Sequence, residues 1–325
     1  MNKQELLRAY ELMLLSRMLD EKMLSLQRQG RLGTFASVKG HEAMQVGSVL
    51  ALRKEDWVVP YFRQWAAFLA RGYPIEMLLQ YNSGDERGMD IPPGMNILPV
   101  NIPVASQIPH AVGLAWGFKK KGQKKVVLCF LGDGATSKGD FHEALNFAGV
   151  FKTPNIFLIE NNQYAISVPL KKQTASSTLA QKAAAYGIEG VRIDGNSIEA
   201  MYDAVLQARK KALEGMPVLI EAVGYRLGDH TTADDASRYR SKEEVENAMK
   251  KDPVPLLKKE LMERKFWNES KEKQLRKKLE ILLGKTVKKF ESMKLMDPKD
   301  IFKYTYGEMT PDLKRQSKML GENYG

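Results

Sequence analysis

The chain opens with apolar residues at helical spacing: Leu6, Tyr10, Met13 and Leu14, with Arg17 in the same series, run on without a breaker until Gly30. Apolar groups that recur every three or four residues share one side of an α-helix, so a long first helix over about residues 1–30 is predicted, packed along that side. Farther along, the pattern changes. Residues 125–131 (KVVLCFL), 155–160 (NIFLIE), 191–193 (VRI) and 217–224 (PVLIEAVG) are short runs rich in β-branched and apolar residues. A strand that is apolar throughout has both faces covered, as in a parallel sheet with helices above and below. The intervening segments carry helical signatures. After the capping residue Ser197, Ile198, Met201, Val205, Ala208 and Ala212 form one face, and Gly215 stops the run. Strand and helix in alternation predict an α/β fold, a mostly parallel sheet with helices on both faces.

Between residues 85 and 109 neither period holds. Five prolines, two of them adjacent, fix φ and remove donors, so this is neither a regular helix nor a central strand. Its many apolar residues, among them Ile91, Met95, Ile97, Leu98, Val100, Ile102 and Val104, predict an ordered, functional loop. After His230 the chain is polar as far as Arg240. Ser241 and Glu244 then have the spacing of a capping box, opening a helical C-terminal region over about 241–325 in which Leu275, Leu279, Leu282, Leu283 and Phe290 keep a helical period toward Pro298. No flexible linker or low-complexity tract divides the chain, and one domain over 1–325 is expected.

Composition narrows the class. With 43% hydrophobic residues the chain can bury a sizeable core, yet no stretch approaches 18 consecutive apolar residues, so no membrane helix is expected. The N-terminus is amphipathic and acid-bearing and lacks the marks of a signal peptide. The single cysteine, Cys129, lies inside a predicted strand and excludes an intramolecular disulfide, which suits a cytoplasmic protein. The net charge of +11 raises the question of an acidic partner. Basic runs at 119–125 and 276–278 lack the interleaved stacking aromatics of single-strand binders, so solvated helix faces are expected, and no nucleic acid.

Candidate chemistry concentrates in residues 126–167. A predicted strand ends at Gly132-Asp133-Gly134, and a helix follows from about Gly139 with Phe141, Ala144, Leu145 and Ala148 on its apolar side. Glycine lets a phosphate approach the backbone closely, and Asp133 offers a hard oxygen ligand. A second strand delivers Asn161-Asn162-Gln163-Tyr164, which could add an amide oxygen and a main-chain carbonyl. Few protein oxygens and no sulfur or nitrogen ligand suit Mg²⁺, which completes its octahedron with water and phosphate. The arrangement reads as a diphosphate clamped through a metal beyond the carboxyl ends of the strands.

Gly-Asp-Gly, with Asn162 following Asp133 by 29 positions at the end of a second strand, resembles the thiamine-diphosphate motif. The whole segment GDFHEALNFAGVFKTPNIFLIENNQYAIS is similar to the alpha subunits of pyruvate and branched-chain 2-oxo acid dehydrogenases, as are GHEAMQVG, PYFRQW, QIPHAVGLA, IDGNSIEAMY and IEAVGYRLGDHTTADDASRYRS. The resemblance covers nearly the whole chain. It implies that Asp133, Asn162 and the Tyr164 carbonyl hold magnesium, that the Gly134 and Ala135 amides face the diphosphate of thiamine diphosphate, and that Arg63 pairs with it. Phe62 stands where the family often has tyrosine, so a hydroxyl contact is lost there. Ile102 and Val104 match positions along the aminopyrimidine and the bent cofactor. His230 is placed at the mouth of the site as a catalytic residue, near the diphosphate and an incoming lipoyl group, and Thr231 matches a serine that kinases modify in mitochondrial relatives. His41 replaces the glutamine usual in Gly-Gln-Glu-Ala. His110 and His142 fall in predicted helices, and no pair of histidines has zinc-ligand spacing.

The implied reaction is oxidative decarboxylation of a 2-oxo acid, with pyruvate slightly favoured over branched-chain acids such as 3-methyl-2-oxobutanoate, and reductive acylation of a lipoyl group on an acyltransferase core. The glutamate that faces the pyrimidine belongs, by the same resemblance, to a beta subunit in an α₂β₂ heterotetramer, and no residue of this chain matches it. The alternatives are a subunit of an acetoin-type thiamine enzyme and a non-catalytic basic binding protein on the same fold.

Overall fold

A computed structural model describes residues 1–323. Helices α1 (Lys3–Arg28) and α2 (Glu42–Leu50) precede strand β1 (Trp57–Val59), and α3 (Trp65–Ala70) and α4 (Ile75–Asn82) follow it. After a long irregular segment come α5 (Gln107–Lys120), β2 (Val127–Gly132), α6 (Gly139–Phe151) and β3 (Asn155–Asn161), then a small antiparallel pair, β4 (Tyr164–Ala165) and β5 (Val168–Pro169). The sheet is completed by β6 (Glu189–Asp194), α7 (Ile198–Leu213) and β7 (Val218–Val223). Helices α8 (Lys242–Met249), α9 (Pro253–Glu263), α10 (Glu269–Glu291), α11 (Asp300–Lys303) and α12 (Pro311–Asn323) follow.

The four predicted strands all form, and with β1 they make one parallel sheet in the order β1-β2-β3-β7-β6. Successive side chains point to opposite faces, so each apolar run feeds two cores. Leu128, Phe130, Ile156, Leu158 and Ile220 pack under α1, α2 and α7. Val127, Cys129, Leu131, Phe157 and Ile159 pack under α5 and α6. The fold is therefore α/β with helices on both faces, as the sequence pattern predicts. Strand β1 is too short to give a period, and it is stitched on its open side by the proline-rich loop: Val58 N–H donates to Asn96 O at 3.0 Å and Leu98 N–H to Val58 O at 2.9 Å. That loop has one 3-10 turn at Glu86–Met89 and buries Ile97.

Helix α1 begins with a reciprocal capping box between Asn2 and Glu5. Leu6, Tyr10, Met13 and Leu14 are buried as expected, and so is Arg17. Its two terminal nitrogens each lie 2.8 Å from an Asp252 oxygen, and its Nε donates to Glu42 at 2.6 Å. One guanidinium thus joins α1, the start of α2 and the N-cap of α9. The second oxygen of Glu42 accepts the Gly40 N–H at 2.9 Å, which carries the same network into the loop before α2.

The C-terminal helices share the larger core through Leu257, Leu261, Leu275, Leu279, Leu283 and Val287. Two expectations there are corrected. Leu282 is 39% exposed, because it lies at the margin of the stripe that Leu275, Leu279 and Leu283 define. Ser241 caps α8 by accepting the Glu244 N–H, but the Glu244 carboxylate does not turn back to form a box. It accepts instead from the hydroxyls of Tyr164 at 2.8 Å and Tyr225 at 2.9 Å, two stronger donors brought in by the sheet.

Replacing Arg17 with Met leaves the buried carboxylates of Glu42 and Asp252 without their cation. The expected loss is about 3 to 5 kcal/mol of stability, read from the midpoint of urea unfolding at constant slope. A loss below about 1 kcal/mol, the range of an exposed pair, would remove this network from the account.

Candidate active site

Strands β2 and β3 are parallel neighbours in a register that pairs Gly132 with Glu160, so the chain leaves the sheet at Asp133 on one strand and at Asn162 on the next. Beyond these ends lies a cavity of about 370 Å³. Phe62, Arg63, Val104, Asp133, Gly134, Ala135, Asn162, Tyr164 and His230 all line it, which brings together every site residue expected from the sequence except Ile102. Ile102 is 57% exposed and lies outside the lining, and Val104, also largely exposed, stands at the rim instead of in a core. A larger cavity of about 660 Å³ opens at the ends of β6 and β7 and contains none of these residues.

Asp133 is buried, and burial raises its carboxyl above the ordinary range, opposed by a hydrogen bond from Gln173 and the charges of Arg226 and Arg63. Gln173 Nε2 donates to Asp133 Oδ2 at 2.7 Å and to the Val168 carbonyl at 2.9 Å, which ties the acid to the hairpin of β4 and β5. Gly134 faces the same hairpin so closely that a Cβ there would sit 2.7 Å from the Ala165 Cβ. Gly134 and Ala135 stand in the first turn of a short 3-10 helix, whose leading amides have no acceptor within the helix. Asn162 Oδ1 accepts the Tyr164 N–H at 3.2 Å, and its Nδ2 lies 3.1 Å from Nε2 of His41, a fully buried ring. Burial, then the charges of Arg63 and Arg226, hold that ring neutral, well below the ordinary histidine range.

Arg63 and Arg226 are both buried, and among the described residues neither has an ion-pair partner. Arg63 donates to the Ser37 carbonyl at 2.6 Å and to the His230 carbonyl at 3.0 Å. Arg226 donates to the carbonyls of Tyr164 at 3.3 Å and Ile166 at 2.8 Å. Nδ1 of His230 lies between them, 3.2 Å from Arg63 Nη2 and 3.4 Å from Arg226 Nη1. A ring nitrogen facing two permanent donors must offer its lone pair. Burial first, then these two cations, push the His230 pKa down to about 3, so the ring does not titrate near its ordinary value of 6.5.

Three non-glycine residues around the site have positive φ: Ala105 (76°), Gln163 (76°) and Ile166 (55°). For a β-branched residue this is a genuine outlier, and such strain collects where backbone groups are aimed at a ligand. The hydrogen bond from Arg226 to the Ile166 carbonyl helps to hold it. In the sequence Arg226 has no assigned role, His41 stands out only as a replacement for glutamine, and Gln173 carries no mark. Arg226 alone carried a signal, as a basic residue just past the end of a strand near His230.

The cavity thus lies beyond the carboxyl ends of the parallel strands, where α/β folds bind their ligands. Residues 10–299 match the family described as dehydrogenase E1 component. A pyruvate dehydrogenase E1 component subunit alpha of Mycoplasma genitalium is 42% identical over 322 residues, covering 99% of this chain and 90% of the relative. One from Acholeplasma laidlawii is 43% identical over 97% of this chain and 92% of its own length. A 3-methyl-2-oxobutanoate dehydrogenase subunit alpha of Mycobacterium tuberculosis is 40% identical over 96% of this chain and 85% of its own. The chain belongs to the dehydrogenase E1 component family, among the alpha subunits of 2-oxo acid dehydrogenases.

The His230 environment makes a prediction about pH. The unfolded ring binds a proton below about 6.5 and the folded ring only near 3, so this group withdraws stability as pH falls through that window and contributes nothing above it. In ring-proton NMR of the intact chain the His230 signals are expected to stay constant from pH 8 to about 5. A titration near 6.5 would contradict its position between two guanidiniums.

Proposed function

We propose that this chain holds the diphosphate end of thiamine diphosphate and its magnesium, as the alpha half of a decarboxylase completed by a beta subunit. The observation that carries the reading is the pair of buried guanidiniums, Arg63 and Arg226, without an anion beside a cavity that also receives a buried carboxylate. Buried charge of one sign is costly until a counter-charge arrives. A magnesium diphosphate suits the residues present: Asp133, the Asn162 amide oxygen and the Tyr164 carbonyl supply hard oxygens for the metal. The Gly134 and Ala135 amides and Arg63 face the phosphate oxygens, and Gly134 allows the backbone to come close. Phe62 contributes a ring and no hydroxyl. Val104, with Ile102 farther out, lies toward the aminopyrimidine.

Bound thiamine diphosphate supplies the electron sink for decarboxylating a 2-oxo acid. This chain's part is to bind, orient and exclude water. His230 contributes a neutral ring whose Nδ1 is fixed by the two arginines, which leaves Nε2 carrying a proton at the mouth, where it can donate to an acyl group bound for a lipoyl carrier.

Two observations favour a partner over this mouth. Among the described residues Asp133 is the only carboxylate lining the cavity, so the acid that must face the pyrimidine comes from elsewhere. Val104 and Ile166 at the rim, with Ile102 and Val168 outside the lining, are 43% to 57% exposed, apolar surface that a neighbouring subunit would cover. We take that neighbour to be a beta subunit in an α₂β₂ heterotetramer served by a lipoyl-bearing acyltransferase in the cytoplasm. No helix among the described residues is long and apolar enough to cross a membrane. Pyruvate is slightly favoured as substrate, on the likeness of residues 87–99 to bacterial pyruvate-type subunits.

Decarboxylation of pyruvate and of 3-methyl-2-oxobutanoate should be measured with this chain alone and with its beta subunit, in the presence of thiamine diphosphate, magnesium and an artificial electron acceptor. Activity in the pair only is expected, faster with pyruvate; no activity and no cofactor binding in the pair would sink the proposal. In the same assembly Asp133→Ala is expected to abolish magnesium-dependent cofactor binding, measured by calorimetry, while an unchanged affinity would remove Asp133 from the metal.

A further inference from the structure

We infer that His41 is a positioning residue, whose ring nitrogen grips the Asn162 amide by its NH₂ and so turns the amide oxygen toward the metal position. The inference rests on the proposed function only in assigning Asn162 to a metal. Its geometric part stands on contacts within this chain.

Asn162 Nδ2 and His41 Nε2 lie 3.1 Å apart, with both residues buried. An amide nitrogen can only donate, so the facing ring nitrogen must accept, and the ring proton is left for Nδ1. The opposite orientation of the amide would put its oxygen on His41 and its NH₂ against the Tyr164 N–H, a donor facing a donor. The 3.2 Å bond from Tyr164 N–H to Asn162 Oδ1 excludes that arrangement. Two independent contacts therefore fix which end of the amide faces which way, and only the contact to Tyr164 comes from the same loop. The other comes from the start of α2, 121 positions away in sequence.

The position of His41 is itself held firmly. The ring sits at the start of α2, where its side chain makes no capping bond. The preceding Gly40 has φ of 95°, and a Cβ there would lie 2.3 Å from the Tyr225 carbonyl, so the loop is pressed against the segment after β7. The following Glu42 is fixed by Arg17 and by the Gly40 N–H. The ring thus belongs to a rigid frame outside the segment between β3 and β4 that carries Asn162 and Tyr164. A group that orients a metal ligand from such a frame acts through that ligand, and its loss lowers metal affinity without touching the metal. Glutamine, the usual residue in the resembled family, carries an amide oxygen that can accept the same N–H, so the two residue types can share one role.

The test uses this chain assembled with its beta subunit, at saturating thiamine diphosphate, titrated with magnesium chloride and followed by calorimetry. His41→Leu fills the space without an acceptor and is expected to raise the magnesium midpoint on the order of 10-fold, with the melting temperature of the cofactor-free protein little changed. His41→Gln is expected to restore the wild-type midpoint. An unchanged midpoint in His41→Leu, or no rescue by His41→Gln, overturns the inference. The wild-type chain gives a second readout independent of any variant's folding. In ¹⁵N spectra of the histidine-labelled protein, which has four histidines, His41 is expected as the Nδ1–H tautomer with Nε2 unprotonated, and an Nε2–H tautomer overturns it. If the wild-type assembly takes up no cofactor, the proposed function fails in its own right, and the spectrum still decides whether the ring grips the amide as described.

Discussion

Two positive charges without a counter-ion organise the functional end of this molecule. Arg63 and Arg226 are removed from water, and the hydrogen bonds they make go to main-chain carbonyls, a ring nitrogen and a tyrosine hydroxyl. Those acceptors satisfy geometry but carry no net charge. The nearby acids are engaged elsewhere: Asp20 accepts from Ser37 Oγ and Val38 N–H, Glu160 accepts from Tyr61 and Gln64, and Asp234, whose charge reaches Arg226, accepts from His230 N–H and the Tyr239 hydroxyl. Burial raises Glu160 to about 7, which further weakens it as a counter-charge near neutral pH. The positive field is therefore left to act on the cavity, and it adds to burial, the larger cause, in keeping both His41 and His230 neutral.

Holding two like charges in place requires a scaffold that is stable for other reasons. The parallel sheet supplies it, with β2, β3 and β7 buried on both faces and their carboxyl ends level with one another. The loops leaving those ends can then adopt costly conformations, including positive φ at Ile166, because the strands beneath do not depend on them. Behind the site, Arg17 with Glu42 and Asp252 joins the first helix, the loop of His41 and the C-terminal helices. In that network one cation is flanked by two carboxylates, in contrast to Arg63 at the cavity and Arg226 behind it, which have no ion-pair partner among the described residues. The contrast separates a structural ion network from the site proposed to hold a diphosphate.

Much of this was legible before any coordinates. Apolar runs such as KVVLCFL and NIFLIE mark buried parallel strands because covering both faces removes the alternation, and parallel pairing then puts Asp133 beside Asn162 with no further assumption. What stayed hidden depends on how irregular segments pack. Gln173 meets Asp133 only because a two-residue hairpin folds back over the turn, and nothing in its composition announces that contact. Glu244 looked like half of a capping box, but two tyrosines from distant segments compete for it. Ile102 and Val104 share the apolar character of core residues, and only the fold reveals that they face outward at a rim.

That rim bears on why such a site would be divided between two chains. An anion-binding end needs fixed donors and a closed backbone cradle, which strand ends and a helical turn provide within one chain. A cavity enclosed on all sides by the same chain would have to open for a large charged ligand to enter. Here the charged end is built in advance and the mouth is left open and apolar, so the surface that closes over the ligand can also complete its chemistry. On the proposed reading, association buries the exposed side chains and excludes water from the positive site in one step, which strengthens the hold of Arg63, backed by Arg226, on an anion in the cavity.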